Sequence, residues 1–455
     1  MTRHAALLLT LAVTALPARA EPAGTWQRYV TPAEAGWSED GLEAARTQAE
    51  AIGSAAVMVI DRGHVVAAWG EVATPLPVYS VRKSLLSLLI GQAVAEGELA
   101  LDATLAESGL TDREPLTETE AAATLAEVLT STTGIYLPAA KEPPGLAERP
   151  ERGQDAPGEV FWYNNWSFNA AQTIWAEATG LDLAGAFADR IAGPLGFEDL
   201  AASDVFLEYD PSKSDIPAWE MMLSARDLAR VGVLVAQEGR WSGEAVVPRD
   251  WLAEALRAHW DFGDGSGYGY LWWVSPAEGT RFGGPGTGLP GDAAHVAAIG
   301  AFGQAIWVLP EEEIVIVHRA RRSATGGVSD REVEALVRLI LEAKVSAGAA
   351  DPRLEPLAVP PTGPLLHRDL VAPDAAERER LAGRYGPVEV YGWGGRLYIS
   401  PPEPGGPHME LLRQPDGSYT GRLVPVRITF EGDAFGRAAA LTLEMGGREM
   451  RALRN

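Results

Sequence analysis

The sequence predicts an α+β fold: one antiparallel sheet flanked by helices, carrying an inserted helical subdomain, and followed by a small all-β domain. Three observations predict it. Two short strand-like runs, residues 55–60 and 64–70, stand near the N-terminal end. Strand-like runs rich in aromatic and β-branched residues return only after residue 268, once a long stretch of helical periodicity has passed. From about residue 376 onward, short alternating segments are separated by Gly and Asp-Gly turns.

Residues 1–20 precede the fold. Arg3 and His4 open them, residues 5–16 are apolar, and Ala18-Arg19-Ala20 forms a small-x-small cleavage site. That is the pattern of a secretory signal peptide, so the expectation is a periplasmic or secreted protein cleaved near Ala20. The apolar run is too short to span a bilayer, and no second long one follows, so no stable membrane insertion is expected. The chain has no cysteine. This excludes disulfides, a cysteine nucleophile and cysteine-ligated zinc, and it suits a bacterial periplasm. The formal charge of −24 argues against nucleic acid and anionic lipid as partners.

Residues 32–48 read as a turn and a helix. Asp61-Arg62-Gly63 is a hairpin turn between the two early strands. Over residues 80–96 the apolar residues Val81, Leu85, Leu88, Leu89, Ile90 and Val94 recur through several turns, which predicts a helix buried on most sides. The insert, about 101–260, is helix-rich, with periodicity over 121–129, 169–179 and 224–237. Residues 138–158 are rich in Pro, Gly and charge and read as a loop. Strands are expected at 268–274, 295–299, 304–309 and 314–319, then a helix at 330–345. Residues 21–345 make the first domain, with a cleft expected where the insert meets the sheet. Residues 346–375, rich in Ala and Pro, read as a linker. Residues 376–455 make the β domain, with strands at 388–391, 396–399, 419–423, 428–431 and 441–444.

Ser80 and Lys83 carry the chemistry. The chain has four lysines, and only Lys83 has a serine three positions before it. At a helix start the serine hydroxyl can face a cleft, its own N–H is free of helical bonding, and a residue at i+3 lies on the same face. A desolvated lysine loses preference for its proton and can act as the base that serine needs. Taken alone, the pair also fits an ordinary N-cap and a solvated lysine. Tyr163 and Asn165 add a phenol that can pass a proton and an amide that can accept from the lysine or donate to a substrate carbonyl. Their neighbours Trp166 and Phe168 read as core aromatics. An oxyanion hole needs two N–H donors. Ser80 N–H is one candidate, and the small-residue strand Ala297-Ala298-Ile299-Gly300-Ala301 is another source, although small residues beside a turn also have a plain packing explanation.

With these residues the sequence resembles the serine β-lactamase and penicillin-binding-protein superfamily, in its class C-like branch. That branch includes D-alanyl-D-alanine carboxypeptidases, family VIII esterases and 6-aminohexanoate-oligomer hydrolases. The similarity runs over about residues 26–345. Its marks are Ser80-Val81-Arg82-Lys83-Ser84, Leu129-Thr130-Ser131-Thr132-Thr133-Gly134, Tyr163-Asn164-Asn165, Pro194-Leu195-Gly196-Phe197 with Asp199, Ser224-Ala225-Arg226-Asp227, and Gly303-Gln304. The resemblance implies a β-lactamase/transpeptidase-like fold. It implies Ser80 as nucleophile, Lys83 as its base, Tyr163 as a second acid–base group and Asn165 as the substrate-orienting amide. It puts the third motif at Ala298-Ile299-Gly300, with Ser80 and Ala301 N–H groups as the oxyanion hole. Ala298 departs from the Lys or His usual there, so the charge that holds a substrate carboxylate is missing; Arg321 on a neighbouring segment is a candidate replacement.

The expected function is an exported serine hydrolase cleaving an ester or amide bond, peptide and β-lactam-like bonds included, with ester or simple amide favoured over a true β-lactam. The alternative is a non-catalytic sensor of cell-wall fragments on the same scaffold. The expected partner is a small-molecule or peptide substrate. No cofactor is expected, and no histidine pair has metal-ligand spacing. His295 and His318 are expected in structural roles. Trp272 and Trp273 are candidates to wall the cleft, with one of them facing the core.

Overall fold

A computed structural model describes residues 24–142, 149–275, 294–322, 326–360, 362, 368, 370–402, 408–423, 426–432 and 436–455. The expected signal peptide, residues 143–148 of the expected loop, and 361, 363–367 and 369 of the expected linker lie outside the described residues.

The main sheet has ten strands among the described residues. Their order across it is Leu354–Pro356, Gln27–Tyr29, His64–Gly70, Ser54–Asp61, Ile314–Ala320, Gln304–Leu309, His295–Gly300, Trp273–Ser275, Gly267–Tyr268 and Trp260–Asp261. The pairs are antiparallel except Gln27–Tyr29 with His64–Gly70. Early and late strands therefore share one sheet: Ser54–Asp61 pairs with Ile314–Ala320, 250 or so residues away. Alternate residues feed two cores, as the two-residue period requires. Val57, Val59, Trp307 and Ile316 pack under helices Glu39–Ile52 and Asp330–Glu342. Met58, Ile60, Ile306, Val308 and Val317 face the other side. There they meet helices Val81–Ala95 and Ala225–Ala236 and the insert.

Helix Val81–Ala95 is enclosed along nearly its whole length. Leu85, Leu86, Leu88, Leu89 and Ile90 are each at most 1 % exposed. Each such side chain contributes about 1.5–3 kcal/mol relative to an exposed one, so this helix is fixed in place by its own sequence. A smaller sheet of Leu76–Pro77, Ala218–Leu223 and Val205–Glu208 lies beside its start.

The C-terminal region is a meander of eight strands among the described residues, from Gly383–Tyr385 to Arg448–Leu453, each paired with the next. Its ends meet: Tyr385 bridges Arg454, and Asn455 N–H donates to Arg384 O at 2.9 Å. This closure removes the exposed edges and makes the meander a barrel around its own apolar core. The barrel rests on strand Val205–Glu208 and the residues flanking it. Tyr209 stacks on Trp393 at 4.2 Å, and Tyr398 OH donates to Leu207 O at 3.2 Å.

Several elements differ from the sequence expectation. Residues 121–129 are not one helix: Glu118–Ala121 ends, and Leu125–Thr130 starts anew from Thr124, whose hydroxyl accepts from Glu127 N–H. Residues 268–274 are not one strand, because Leu271 adopts φ +66° and divides Gly267–Tyr268 from Trp273–Ser275. Helix Asn165–Thr179 begins four residues earlier than its apolar pattern, capped by Asn164. Within residues 346–375, Leu354–Pro356 pairs with Gln27–Tyr29 as an edge strand of the main sheet. Strands Val205–Glu208 and Ala218–Leu223 were hidden in the helix-rich insert, and the barrel strands Gly383–Tyr385, Met409–Arg413 and Arg448–Leu453 were not anticipated.

Candidate active site

Ser80 precedes helix Val81–Ala95 in a right-handed helical conformation, and its side chain caps nothing. Its hydroxyl instead meets Lys83: Lys83 Nζ is 2.8 Å from Ser80 Oγ and 2.8 Å from Tyr163 OH. The plain N-cap reading does not describe this geometry. Nor is Lys83 solvated, being 1 % exposed. Its ammonium position lies 4.4 Å from the Tyr163 ring centre and 4.3 Å from that of Phe168.

Burial pushes the Lys83 amine well below the ordinary lysine range, and the nearby Arg82 and Lys141 charges push the same way, while Glu220 opposes them. The neutral amine is the form able to accept the Ser80 proton. Burial raises the Tyr163 phenol to about 12, a shift opposed by its hydrogen bond with Ser80. Tyr163 is thus a neutral proton donor at ordinary pH.

The chain before Ser80 is bent tightly. Tyr79 has φ +49°, a left-handed conformation that costs a non-glycine residue on the order of 1–2 kcal/mol. Several groups hold the bend. Arg82 Nη1 donates to Tyr79 O at 3.1 Å, and Val78 N–H donates to Met221 O at 2.9 Å. Arg319, fully buried, donates to Leu76 O (2.8 Å), Pro77 O (3.0 Å) and Leu223 O (2.5 Å) and also to Gln304 Oε1 (2.8 Å). The Tyr79 ring meets Phe302 edge-on at 5.0 Å.

Tyr163 is set by a second clamp. Trp162 N–H donates to Ser131 O at 2.9 Å, and Ser131 Oγ donates to Trp162 O at 2.7 Å. Asn165 lies on the next turn, and its Nδ2 donates to Lys141 O at 2.5 Å. One amide N–H is therefore given to a backbone carbonyl, while the Lys83 amine bonds Ser80 and Tyr163. The Lys141 ammonium pairs with Glu220 at 2.7 Å and with Glu208.

The third-motif strand reaches the backbone at Ser80. A Cβ added at Gly300 would sit 2.4 Å from Val78 O and 3.1 Å from Ser80 N, so only glycine allows this approach. Ala301 follows at the turn, next to that contact. Ala298 is fully buried in the apolar core. Arg321 does not stand in for the missing charge, since it pairs with Glu71 at the surface. His318 is buried between Gly303 O (2.5 Å) and Ser54 Oγ (2.7 Å), a structural position, with burial lowering it to about 4. His295 is buried against the Trp307 ring at 5.5 Å. Trp272 is in the core, and Trp273 stacks on Tyr163 at 5.7 Å. The motif residues Asp199 and Arg226 pair with each other at 2.6 Å, a clamp within the insert.

Lys141, Glu220, Arg319 and Tyr79 are the site residues that the motifs did not indicate. Arg319 had a faint signal: it directly follows the strand-like run Ile314-Val315-Ile316-Val317-His318, and an arginine carried on a buried strand must find acceptors for its charge. Lys141 and Glu220 had none, because their pairing depends on the tertiary fold. Among the described residues, no group of three or more His, Cys, Asp or Glu could hold a metal. No described helix is long and apolar enough to cross a membrane.

Three solved structures are similar in fold. A 6-aminohexanoate-dimer hydrolase candidate from Bacillus anthracis is 17 % identical, over 68 % of this chain and 84 % of its own, with a TM-score of 0.51. A penicillin-binding-protein homologue from Caulobacter crescentus is 15 % identical, over 68 % of this chain and 99 % of its own, at 0.50. A β-lactamase candidate from Bacteroides dorei is 14 % identical, over 67 % of this chain and 98 % of its own, also at 0.50. No curated protein matches the chain. The profile of the Beta-lactamase family matches residues 40–339, well over half of the chain. This span holds the Ser80, Lys83 and Tyr163 cluster, and the chain belongs to the β-lactamase family.

Proposed function

We propose that this protein is an exported serine hydrolase that cleaves an ester or amide through an acyl-enzyme on Ser80. The observation that carries the reading is Lys83 Nζ at 2.8 Å from both Ser80 Oγ and Tyr163 OH. Ser80 gives its proton to the neutral Lys83 amine as Oγ attacks the substrate carbonyl carbon. The oxyanion lies against the N–H groups of Ser80 and Ala301. On collapse the C–O or C–N bond breaks, Tyr163 OH protonates the leaving alcohol or amine, and the Lys83 ammonium returns a proton to Tyr163. Water then attacks the acyl carbon and gives one proton to the Lys83–Tyr163 pair, which passes it to Ser80. The net reaction consumes one water and yields an acid and an alcohol or amine. Asn165, with one amide N–H given to Lys141 O, orients the substrate through its remaining N–H and its Oδ1.

Ala298 supports the choice of ester or simple amide over substrates anchored by a carboxylate, because the residue matching the Lys or His of the third motif is a buried, uncharged alanine. The same residue supports the second reading, a sensor of cell-wall fragments without turnover. Hydrolysis of a short-chain p-nitrophenyl ester decides between them: activity lost in both Ser80→Ala and Lys83→Ala supports the hydrolase, and an inert wild-type chain supports the sensor. Export is tested by N-terminal sequencing of the mature protein, expected to begin after Ala20.

A further inference from the structure

We infer that a wall of aromatic rings beside Tyr163 binds an uncharged apolar leaving group, preferentially an aromatic one. The inference rests on the hydrolase reading and names its substrate class.

The rings form a continuous series from the proton donor to solvent. Tyr163 stacks on Trp273 at 5.7 Å. Phe161 lies 6.4 Å from Trp273 and 5.0 Å from Phe262, which it meets edge-on. Phe262 also stacks with Trp273 at 6.1 Å, and Trp260 flanks Phe161 at 6.3 Å. Tyr268 is buried behind them, 5.0 Å from Trp273. Phe262 is 38 % exposed, alone among the described Phe and Trp residues in reaching that level. An exposed phenylalanine at the end of a partly buried aromatic series gains from a ligand ring that removes it from water.

Position and rigidity point to the leaving group. Tyr163 delivers the proton to the departing atom, so a surface stacked on its ring lies beside that atom's substituent. The wall is also held at a fixed distance from the nucleophile helix. Ser84 Oγ donates to Leu271 O at 2.6 Å, and Ser87 Oγ donates to Tyr270 O at 2.8 Å. These bonds tie the chain just before Trp273 to the helix that carries Lys83. Charge points the same way: Ala298 offers no cation, and a chain of formal charge −24 repels anionic substrates.

The test uses the full chain, with Phe262→Ala and Trp273→Ala, on three acyl-matched or alcohol-matched esters: 1-naphthyl acetate, methyl acetate and methyl 1-naphthoate. Phe262 pairs with Phe161 and Trp273, whereas Trp273 stacks directly on Tyr163, so the Phe262 variant is the cleaner of the two, and Trp273→Phe controls for loss of packing. The ratio of kcat/KM for naphthyl acetate over methyl acetate is expected to fall about tenfold in Trp273→Ala and severalfold in Phe262→Ala, chiefly through KM. Trp273→Phe is expected to keep most of the ratio. Equal losses for both acetates would make the wall structural and overturn the inference. Selective loss on methyl 1-naphthoate would place the acyl half there and overturn it as well. A wild-type chain inert towards all three esters and unlabelled at Ser80 overturns the hydrolase reading itself.

Discussion

Lys83 and Tyr163 lie eighty residues apart in the chain, and the amine of one sits 2.8 Å from the phenol oxygen of the other. Both groups are withdrawn from water, and burial pushes the two in opposite directions: the lysine loses its proton more easily and the tyrosine less easily. The pair is therefore set to be neutral amine and neutral phenol, able to accept one proton and supply another.

Removing the Ser80 hydroxyl, the Lys83 amine or the Tyr163 hydroxyl should cut turnover sharply without unfolding the chain. Ser80→Ala and Lys83→Ala are expected to lower kcat for a p-nitrophenyl ester by a factor of about 10³ or more. Tyr163→Phe keeps the ring packing against Trp273 and Phe168, and is expected to cost about 10²-fold. Circular dichroism checks that the fold survives.

The pH profile should show one acidic limb. Activity needs the uncharged amine, so kcat/KM rises as pH climbs through the depressed Lys83 value, then stays level until Tyr163 loses its proton near 12. The Glu220 carboxylate favours the charged form of Lys83. Glu220→Gln is thus expected to move the limb to lower pH. A limb that stays put would assign it to another group.

The buried amine should also weaken the fold. Between its depressed native value and the ordinary value of an unfolded lysine, about 10.4, the unfolded chain holds a proton that the native state lacks. Stability therefore rises with pH across that window. Lys83→Met removes the penalty. It is expected to raise stability at pH 7 by on the order of 1–2 kcal/mol, with a smaller gain at alkaline pH, as measured by urea denaturation.

Arg319 should matter through position. It reaches three carbonyls around the bend before Ser80 and the Gln304 side chain. Arg319→Met strands these acceptors in the interior and is expected to cost about 3–5 kcal/mol of stability. Gly300→Ala should act more locally. Its new methyl meets Val78 O and the Ser80 amide, so kcat should fall at least about tenfold with a smaller loss of stability.

Much of this was legible in the sequence where a repeating apolar pattern or a motif carried the information. The helix after Ser80 declares itself because nearly every face of it is apolar, and the strand Gln304–Leu309 lies where its short run of apolar, β-branched and aromatic residues placed it. Breaks inside apolar runs were harder to see. Thr124 and Glu127 form a capping box that starts a new helix within a stretch read as one, and their Thr-x-x-Glu spacing was the available signal. Leu271 splits an expected strand through a positive φ that leucine does not advertise. Leu354–Pro356 joins the sheet through Gln27–Tyr29, a partner more than three hundred residues away, so local composition showed only a Pro-rich segment. The motif spacing named Ser80, Lys83, Tyr163 and Asn165. The Lys141–Glu220 pair and the contact of Gly300 with the Ser80 amide exist only once the insert folds over the sheet.

The most direct measurement is mass spectrometry of the protein after reaction with a fluorophosphonate, followed by peptide mapping. A single adduct on the peptide containing Ser80, absent in Ser80→Ala and slowed in Lys83→Ala, is the predicted result. An adduct that persists in Ser80→Ala, or maps to another residue, would contradict the account.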